Sequence, residues 1–151
     1  MDNEQKVARA VELFKMGYNC AQSVTAAFAS DYGYTEEQAL KMSASFGGGI
    51  GRMRETCGAA CGMFILAGLA TGTTDAKDSQ GKAANYTLVQ ELAEEFRREN
   101  GSLICAELLG LRERRPQVPV PDERNAVYYE KRPCVKMVET AARIWAKYTK
   151  E

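Results

Sequence analysis

Apolar residues recur every three or four positions along most of this chain, which is the spacing of amphipathic helices. No segment alternates apolar and polar residues as a half-buried strand would. The first stripe ends at Gly17, the second begins after Asn19, and a third opens at Thr35 and ends before Phe46. Asn and Thr are favourable residues for capping a helix N-terminus. The pattern therefore predicts an all-α protein.

The middle of the chain predicts two contrasting helices. Residues 57–72 contain no charged side chain and are rich in Gly and Ala, so they are short for a membrane span and predict a buried central helix. The stretch from about residue 79 to residue 100 is amphipathic, with Leu88, Leu92 and Phe96 on one side. A short helix is expected to follow from Ser102 through Leu109.

The C-terminal part combines an irregular segment with a last helix. Residues 110–133 carry the prolines and arginines Arg112, Arg114, Arg115, Pro116, Pro119 and Pro121. An irregular segment of this length predicts an extended loop or lid. The last helix is expected to begin at Pro133, since proline suits the first helical position. Its apolar stripe is Val138, Ala141, Trp145 and Tyr148.

No repeat, linker or low-complexity tract divides the 151 residues. This length suits one hydrophobic core. We therefore expect a single helical domain over residues 1–151, a bundle of about six to seven helices with a long Pro-rich loop before the last helix.

Charge and composition narrow the function classes. Lys+Arg and Asp+Glu both number 20, so the net charge is zero, and neither nucleic acid nor an acidic membrane is the expected partner. Residues 1–6 are polar with no apolar signal segment behind them, which predicts a cytoplasmic protein without membrane insertion. There is no histidine, which excludes haem attachment through C-x-x-C-H, mixed Cys/His zinc sites and His-based catalytic triads.

Sulfur is the remaining candidate chemistry. The five cysteines are Cys20, Cys57, Cys61, Cys105 and Cys134. In a reducing compartment they indicate catalysis, metal binding or regulation more than structural bridges. Four of them fall in the first turn of a predicted helix. Cys20 follows Asn19 and Cys57 follows Thr56, both predicted caps. Cys105 comes three residues after a predicted Ser102 cap, and Cys134 follows Pro133.

A helix N-terminus offers unpaired N–H groups and a positive dipole end, which favour a thiolate. Cys57 is expected to be the most reactive thiol, because Gly58 is small and Arg52 and Arg54 are near in sequence. Since three of the four cysteines head an apolar stripe, we expect all four to converge on one pocket. The simpler alternative is that each cysteine is a small buried hydrophobe.

The glycine-rich residues 47–51 form a second candidate site. They lead through Arg52 and Arg54 to Cys57, so backbone amides and guanidinium groups could hold an anion. The residues singled out for this site are Gly48, Gly49, Gly51, Arg52 and Arg54. The segment matches neither common nucleotide motif, and a flexible turn with solvated arginines is an equally good interpretation.

Several segments together resemble a known family. These are residues 18–24 (YNCAQSV), 46–51 (FGGGIG), 57–62 (CGAACG) and 105–110 (CAELLG), followed by Cys134. In this order they resemble the C_GCAxxG_C_C family of proteins described as redox-active. The resemblance implies that the family's four cysteines correspond to Cys20, Cys57, Cys105 and Cys134. Cys61 occupies a variable position of the CGAxxG motif.

Two functions use the same four cysteines. The leading hypothesis is thiol–disulfide exchange or electron transfer, so the chain is a candidate thiol oxidoreductase. The sequence does not identify the electron donor or the thiol substrate. The alternative is an iron–sulfur cluster or an all-cysteine zinc site as cofactor. A third interpretation is a binding module that uses residues 110–133. The cysteine pairing and any homo-oligomer stay open.

Overall fold

The computed structural model describes residues 1–111, 113 and 115–149. Arg112 and Arg114, which the sequence placed in a charged loop, lie outside the described residues. The α-helices are α1 Asn3–Lys15, α2 Cys20–Phe28, α3 Glu36–Ser43, α4 Gly47–Ile50, α5 Gly58–Thr71, α6 Ser79–Asn100, α7 Cys105–Leu108, α8 Ala126–Lys131 and α9 Cys134–Tyr148. Short 3₁₀ helices occupy Ala29–Tyr32 and Ala44–Phe46.

The all-α prediction is confirmed, and the described part of the chain contains no named strand. Thr56 and Ile104 form an isolated antiparallel bridge, which ties the start of α5 to the start of α7. None of the helices in the described ranges is both long enough and apolar enough to cross a membrane.

Side-chain caps explain why the first helices begin where the sequence predicted. The Asn19 carboxamide oxygen accepts the Gln22 backbone N–H at 2.9 Å, and the Gln22 side chain accepts the Asn19 N–H at 3.1 Å. Thr35 and Gln38 form the same reciprocal box at the start of α3. Each box satisfies N–H groups that have no partner within the helix. The Asn19 cap fixes the position of Cys20, the first residue of α2.

Helix α5 lies in the centre and packs against α2, α6 and α9. Two of its glycines allow the close approach to α2. A Cβ atom on Gly62 would lie 2.8 Å from the Val24 Cβ, and one on Gly58 would lie 3.3 Å from the Ala21 backbone nitrogen. The CGAxxG segment is therefore a packing motif as well as a cysteine motif, since it brings the start of α5 beside the start of α2.

The C-terminal helix completes the core against α1, α2, α5 and α6. Trp145 is fully buried, as are Val138 and Ala141, whereas Tyr148 at the end of the predicted stripe is 42% exposed. On α6 the predicted stripe of Leu88, Leu92 and Phe96 is buried. Pro133 is the N-cap of α9 and Cys134 is its first residue, one position later than predicted.

The segment before α9 differs from the prediction of an irregular loop, because it contains the helix α8. Asn125 caps α8 by accepting the Tyr128 N–H at 2.9 Å. Just before this helix, Arg124 donates to the carbonyl oxygens of Phe14 and Tyr18 at 2.7 and 2.9 Å. Its guanidinium carbon also lies 4.1 Å from the centre of the Phe14 ring. These contacts hold the segment against the end of α1, where it covers the starts of the other helices.

Candidate functional site

The starts of four helices meet at a pocket of about 350 Å³. Cys20, Cys57, Cys105 and Cys134 all line it, and Cys61 does not. The predicted convergence of the four cysteines is therefore confirmed. The opposite wall comes from the segment before α9, including Pro119, Pro121 and Tyr128. This volume is within the range of small-molecule sites.

Backbone pairing places Cys57 and Cys105 in one half of the pocket. The Cys57 N–H donates to the Leu103 carbonyl at 2.7 Å, and the Cys105 N–H donates to the Glu55 carbonyl at 2.6 Å. Two predicted caps were wrong here. Cys57 is itself the N-cap of α5, because Thr56 is held in the bridge to Ile104. Ile104 is the N-cap of α7, whereas the Ser102 hydroxyl accepts the Ile104 N–H at 2.9 Å.

Cys20 and Cys134 form the outer pair, and both are half-buried. Hydrogen-bonding contact with the Cys20 thiol, supported by the charge of Arg132 and the Tyr128 hydroxyl, lowers the pKa of Cys134 to about 6. The pKa of Cys20 is raised, because its interaction with Cys134 favours the protonated thiol and because it is buried. The arrangement favours a thiolate on Cys134 beside a protonated Cys20.

Cys57 and Cys105 form the inner pair, and they are only 5% and 8% exposed. Burial raises the pKa of Cys57 to about 12, although the backbone amides of Ala60 and Ala59 act in the opposite direction. Burial also raises the pKa of Cys105, against the opposing effect of Arg54, whose Nη1 lies 3.4 Å from the Cys105 sulfur. Cys57 was expected to be the most reactive thiol because its surroundings favour the thiolate; that activation is wrong, since desolvation raises its pKa by more than the helix end lowers it.

Cys61 lies apart from these pairs. Its sulfur is 3.8 Å from the Thr56 carbonyl oxygen, to which it donates. Burial raises the pKa of Cys61 to about 11. As a buried thiol outside the pocket it offers a matched control for the other four.

The glycine-rich turn forms the floor beside the inner pair. Gly48, Gly49 and Gly51 have φ values of 68, 71 and 58°, in the left-handed region that glycine adopts without strain. A Cβ atom on Gly49 would lie 2.5 Å from the Cys105 Cβ and 2.8 Å from the Arg54 Cα. Glycine at this position is what allows the turn to pack against Cys105. Because its two central glycines are left-handed, α4 is a kinked single turn and not a regular helix.

Backbone strain is concentrated in three non-glycine residues within this turn and directly after it. Ile50, Arg52 and Arg54 adopt φ values of 67, 62 and 60°, which are uncommon for residues other than glycine. Such strain persists only where surrounding contacts hold it, and it is frequent at functional sites. Here Arg52 donates from its Nε to the Val118 carbonyl at 2.8 Å, and Arg54 donates from its Nε to the Gln117 side chain at 2.8 Å.

All five residues predicted for an anion site line the pocket, together with the cysteines: Gly48, Gly49, Gly51, Arg52 and Arg54. Sequence reasoning missed Asp122, Arg124, Tyr128 and Arg132, which line it as well. Asp122 accepts from Arg52 at 3.2 Å and from Arg132 at 2.8 Å. The sequence does contain a signal for these residues, because Asn125 is a favourable N-cap residue. It marks the start of α8 and therefore an ordered segment in the pocket wall.

The positions of the cysteines test the alternative that the four of them bind a metal ion or an iron–sulfur cluster. Throughout the described ranges, no group of three or more Cys, Asp or Glu side chains is placed to hold a metal ion. The four cysteines are instead divided into an outer, half-buried pair and an inner, buried pair. The geometry accordingly gives no support to a shared all-cysteine metal centre.

Comparison with known families identifies a matching family. A family described as "Putative redox-active protein (C_GCAxxG_C_C)" matches residues 18–148, a range that includes all four pocket cysteines. Searches of curated proteins and of solved structures returned no match.

Proposed function

Because the chain belongs to the C_GCAxxG_C_C family, whose description is redox-active, we propose that it carries out thiol–disulfide exchange at this pocket. In this proposal Cys134 is the attacking thiolate and Cys20 is the resolving thiol. The observation that carries the proposal is the position of these two half-buried cysteines in the lining of one cavity, and the lowered pKa of Cys134 supports it. A nucleophilic cysteine must be both ionised and accessible, and among the pocket cysteines Cys134 combines these properties.

The reaction balances within the outer pair and its substrate. The Cys134 thiolate attacks one sulfur of a substrate disulfide, and the other substrate sulfur leaves as a thiolate that takes up a proton. The Cys20 thiol then loses its proton and attacks the Cys134 sulfur, which releases the second substrate thiol. The products are a Cys20–Cys134 disulfide and two substrate thiols, so the protein is oxidised and the substrate disulfide is reduced.

Arg132, Arg124 and Tyr128 have a supporting role in this scheme. Each of them favours the charged form of Cys134. Arg124 is fixed by the Phe14 and Tyr18 carbonyls, and Arg132 is fixed by Asp122, so both guanidinium groups are held in place before any substrate binds. A thiolate stabilised by preorganised groups is available for attack near neutral pH.

The inner pair is proposed to act second. Cys57 and Cys105 are buried thiols in the same pocket, and they interact electrostatically with Cys20. Exchange between a Cys20–Cys134 disulfide and the inner dithiol would restore the outer dithiol and leave a Cys57–Cys105 disulfide. No external electron donor is needed for that step. Because the pKa of Cys57 is high, we expect this internal exchange to be slower than the attack of Cys134 on the substrate.

The test is oxidation of the reduced protein by a small excess of 2-hydroxyethyl disulfide at neutral pH, followed by mapping of the bridges by mass spectrometry. We expect the Cys20–Cys134 bridge to form first. The Cys134→Ser variant should lose this fast oxidation, and Cys61→Ser, a control outside the pocket, should retain it. A first bridge that excludes Cys134 would contradict the proposal. Stoichiometric zinc or iron that is lost in Cys57→Ser would instead favour a metal centre.

A further inference from the structure

Positive charge is concentrated at the pocket, although the chain as a whole has no net charge. Among the described residues that line it, four carry a guanidinium group and one carries a carboxylate. The four are Arg52, Arg54, Arg124 and Arg132, and the carboxylate is that of Asp122. A cavity lined mainly by one sign of charge attracts ligands of the other sign.

Three of these arginines already have defined partners. Asp122 is shared by Arg52 and Arg132, and Arg124 is used by two backbone carbonyls. Arg54 differs from them, because it is only 3% exposed and forms no ion pair with a carboxylate in the described part of the chain. Its Nη2 has no hydrogen-bond partner. A buried guanidinium group that pairs directly with no carboxylate is costly, and a bound anion is one way to satisfy such a group.

The contacts that Arg54 does make hold it in position without neutralising it. Its Nε donates to the neutral Gln117 side chain. Its Nη1 faces the Cys105 sulfur, and burial keeps that thiol protonated by raising its pKa. The guanidinium group is therefore fixed beside the cysteines, and its interaction with the Asp122 carboxylate is electrostatic without a direct ion pair.

We propose that the pocket takes a small disulfide that bears a carboxylate, with the carboxylate bound by Arg54 and the disulfide presented to Cys134. This inference rests on thiol exchange at the same pocket and names its substrate class. The cavity of about 350 Å³ suits a small molecule. Leu108, Leu109 and Pro119 in its lining suit the methylene groups between the carboxylate and the sulfur. The substrate is reduced to two thiols while Cys134 and Cys20 are oxidised, as set out above.

Three symmetrical disulfides of similar size and different charge provide the test: 3,3′-dithiodipropionate, 2-hydroxyethyl disulfide and cystamine. The measured quantity is the rate at which each forms the Cys20–Cys134 bridge in the reduced protein at low salt. The carboxylate compound should react about tenfold faster than the neutral one, and the cationic one should be slowest. High salt should reduce the difference. Equal rates for the three compounds would overturn the inference.

Two substitutions should change this preference in opposite directions. Arg54→Gln should bring the ratio of the carboxylate rate to the neutral rate close to one, because the unpaired charge is removed. Asp122→Asn should raise the ratio, because the only carboxylate in the described lining is removed. Loss of folding cannot produce both results. Arg143→Gln, which alters an exposed arginine that pairs with Glu4 and Glu139, is the matched control and should leave the ratio unchanged.

A binding measurement separates the two proposals. Octanedioate has the length of dithiodipropionate but no disulfide, and 1,8-octanediol is its uncharged counterpart. Calorimetry should show that the wild type binds octanedioate and that Arg54→Gln does not, with no binding of the diol. Binding of octanedioate without oxidation by any disulfide would leave the anion site intact and contradict thiol exchange. Oxidation by all three disulfides without octanedioate binding would support thiol exchange and overturn the carboxylate preference.

Discussion

Cys134 of the outer pair and Cys57 of the inner pair differ in acidity although both lie at helix starts. Cys134 is the first residue of α9 and Cys57 is the N-cap of α5, so both are close to a positive helix end. The pKa of Cys134 is lowered to about 6, whereas the pKa of Cys57 is raised to about 12. The difference comes from their surroundings. Cys134 has a thiol, a phenol and two guanidinium groups as neighbours, but Cys57 is part of the hydrophobic core.

This contrast shows which effect is larger when a helix terminus is buried. The dipole and free amides at a helix start stabilise an anion by about 0.3–1 kcal/mol in exposed positions. Full burial can move a pKa by about 3–5 units, and each unit corresponds to about 1.4 kcal/mol. A helix start alone therefore does not make a cysteine acidic. Additional polar partners, which Cys134 has and Cys57 lacks, determine the outcome.

The largest expected effect concerns the helix that carries Cys134. Trp145 is fully buried on α9, and its replacement by Ala should lower the free energy of unfolding by about 3–5 kcal/mol. Tyr148 on the same helix is 42% exposed and serves as the control, with a much smaller expected loss for Tyr148→Ala. Urea denaturation of the two variants would measure both values. An unchanged midpoint for Trp145→Ala would show that α9 is not docked as described.

The next effect concerns the turn beside the inner pair. Gly49→Ala places a Cβ atom 2.5 Å from the Cys105 Cβ and 2.8 Å from the Arg54 Cα. Gly51→Ala has a similar positive φ but meets nothing within 4 Å. We expect about 1–2 kcal/mol of left-handed strain in both variants, and a further loss in Gly49→Ala alone. Equal losses in urea denaturation would mean that the turn does not press on Cys105.

Cys134 and Cys57 should also give stability opposite dependences on pH. Between about pH 6 and 8.5, Cys134 is ionised in the folded state and protonated in the unfolded state, so its contribution rises with pH and is lost as pH falls towards 6. Between about pH 8.5 and 12, Cys57 is protonated when folded and ionised when unfolded, so its contribution falls as pH rises. Each slope is limited to about 1.4 kcal/mol per pH unit.

Denaturation midpoints measured from about pH 5 to 10 would show these slopes. Cys134→Ser should flatten the rise on the acidic side, and Cys57→Ser should flatten the fall on the basic side. Cys61→Ser should also flatten the basic side, because burial raises the pKa of Cys61 to about 11. If Cys134→Ser leaves the slope below about pH 8.5 unchanged, Cys134 is not a thiolate in the folded protein.

A smaller effect is expected from the partner of the thiolate. Cys20→Ala removes the thiol that contacts Cys134, which is the largest cause of the lowered pKa. The pKa of Cys134 should rise towards the free-cysteine value, but Arg132, Arg124 and Tyr128 should hold it below that value. Alkylation rates of Cys134 across pH in this variant would measure the change. An unchanged pKa would show that the arginines act without Cys20.

Much of the fold was predictable because local signals agree with packing. The spacing of apolar residues predicted the span of α6, and the residue types Asn19 and Thr35 predicted the starts of α2 and α3. The convergence of the cysteines followed from stripes that must face a common core. The acidity of Cys134 did not follow, because its arginine and tyrosine neighbours belong to a segment whose Pro content concealed α8. Burial over residues 57–72 was predicted from their lack of charge, but its effect on the Cys57 pKa, larger than that of the helix end, depends on how the helices meet and was not.

The most direct test of the difference between the pairs is the alkylation of Cys134 and Cys57 by iodoacetamide in one sample, resolved by mass spectrometry from about pH 4 to 10. We predict that the Cys134 rate reaches half its maximum near pH 6, while Cys57 stays slow over the whole range. The contrary result would be a Cys134 that titrates at or above about 8.5, the free-cysteine value, or a Cys57 that reacts as fast as Cys134 at neutral pH.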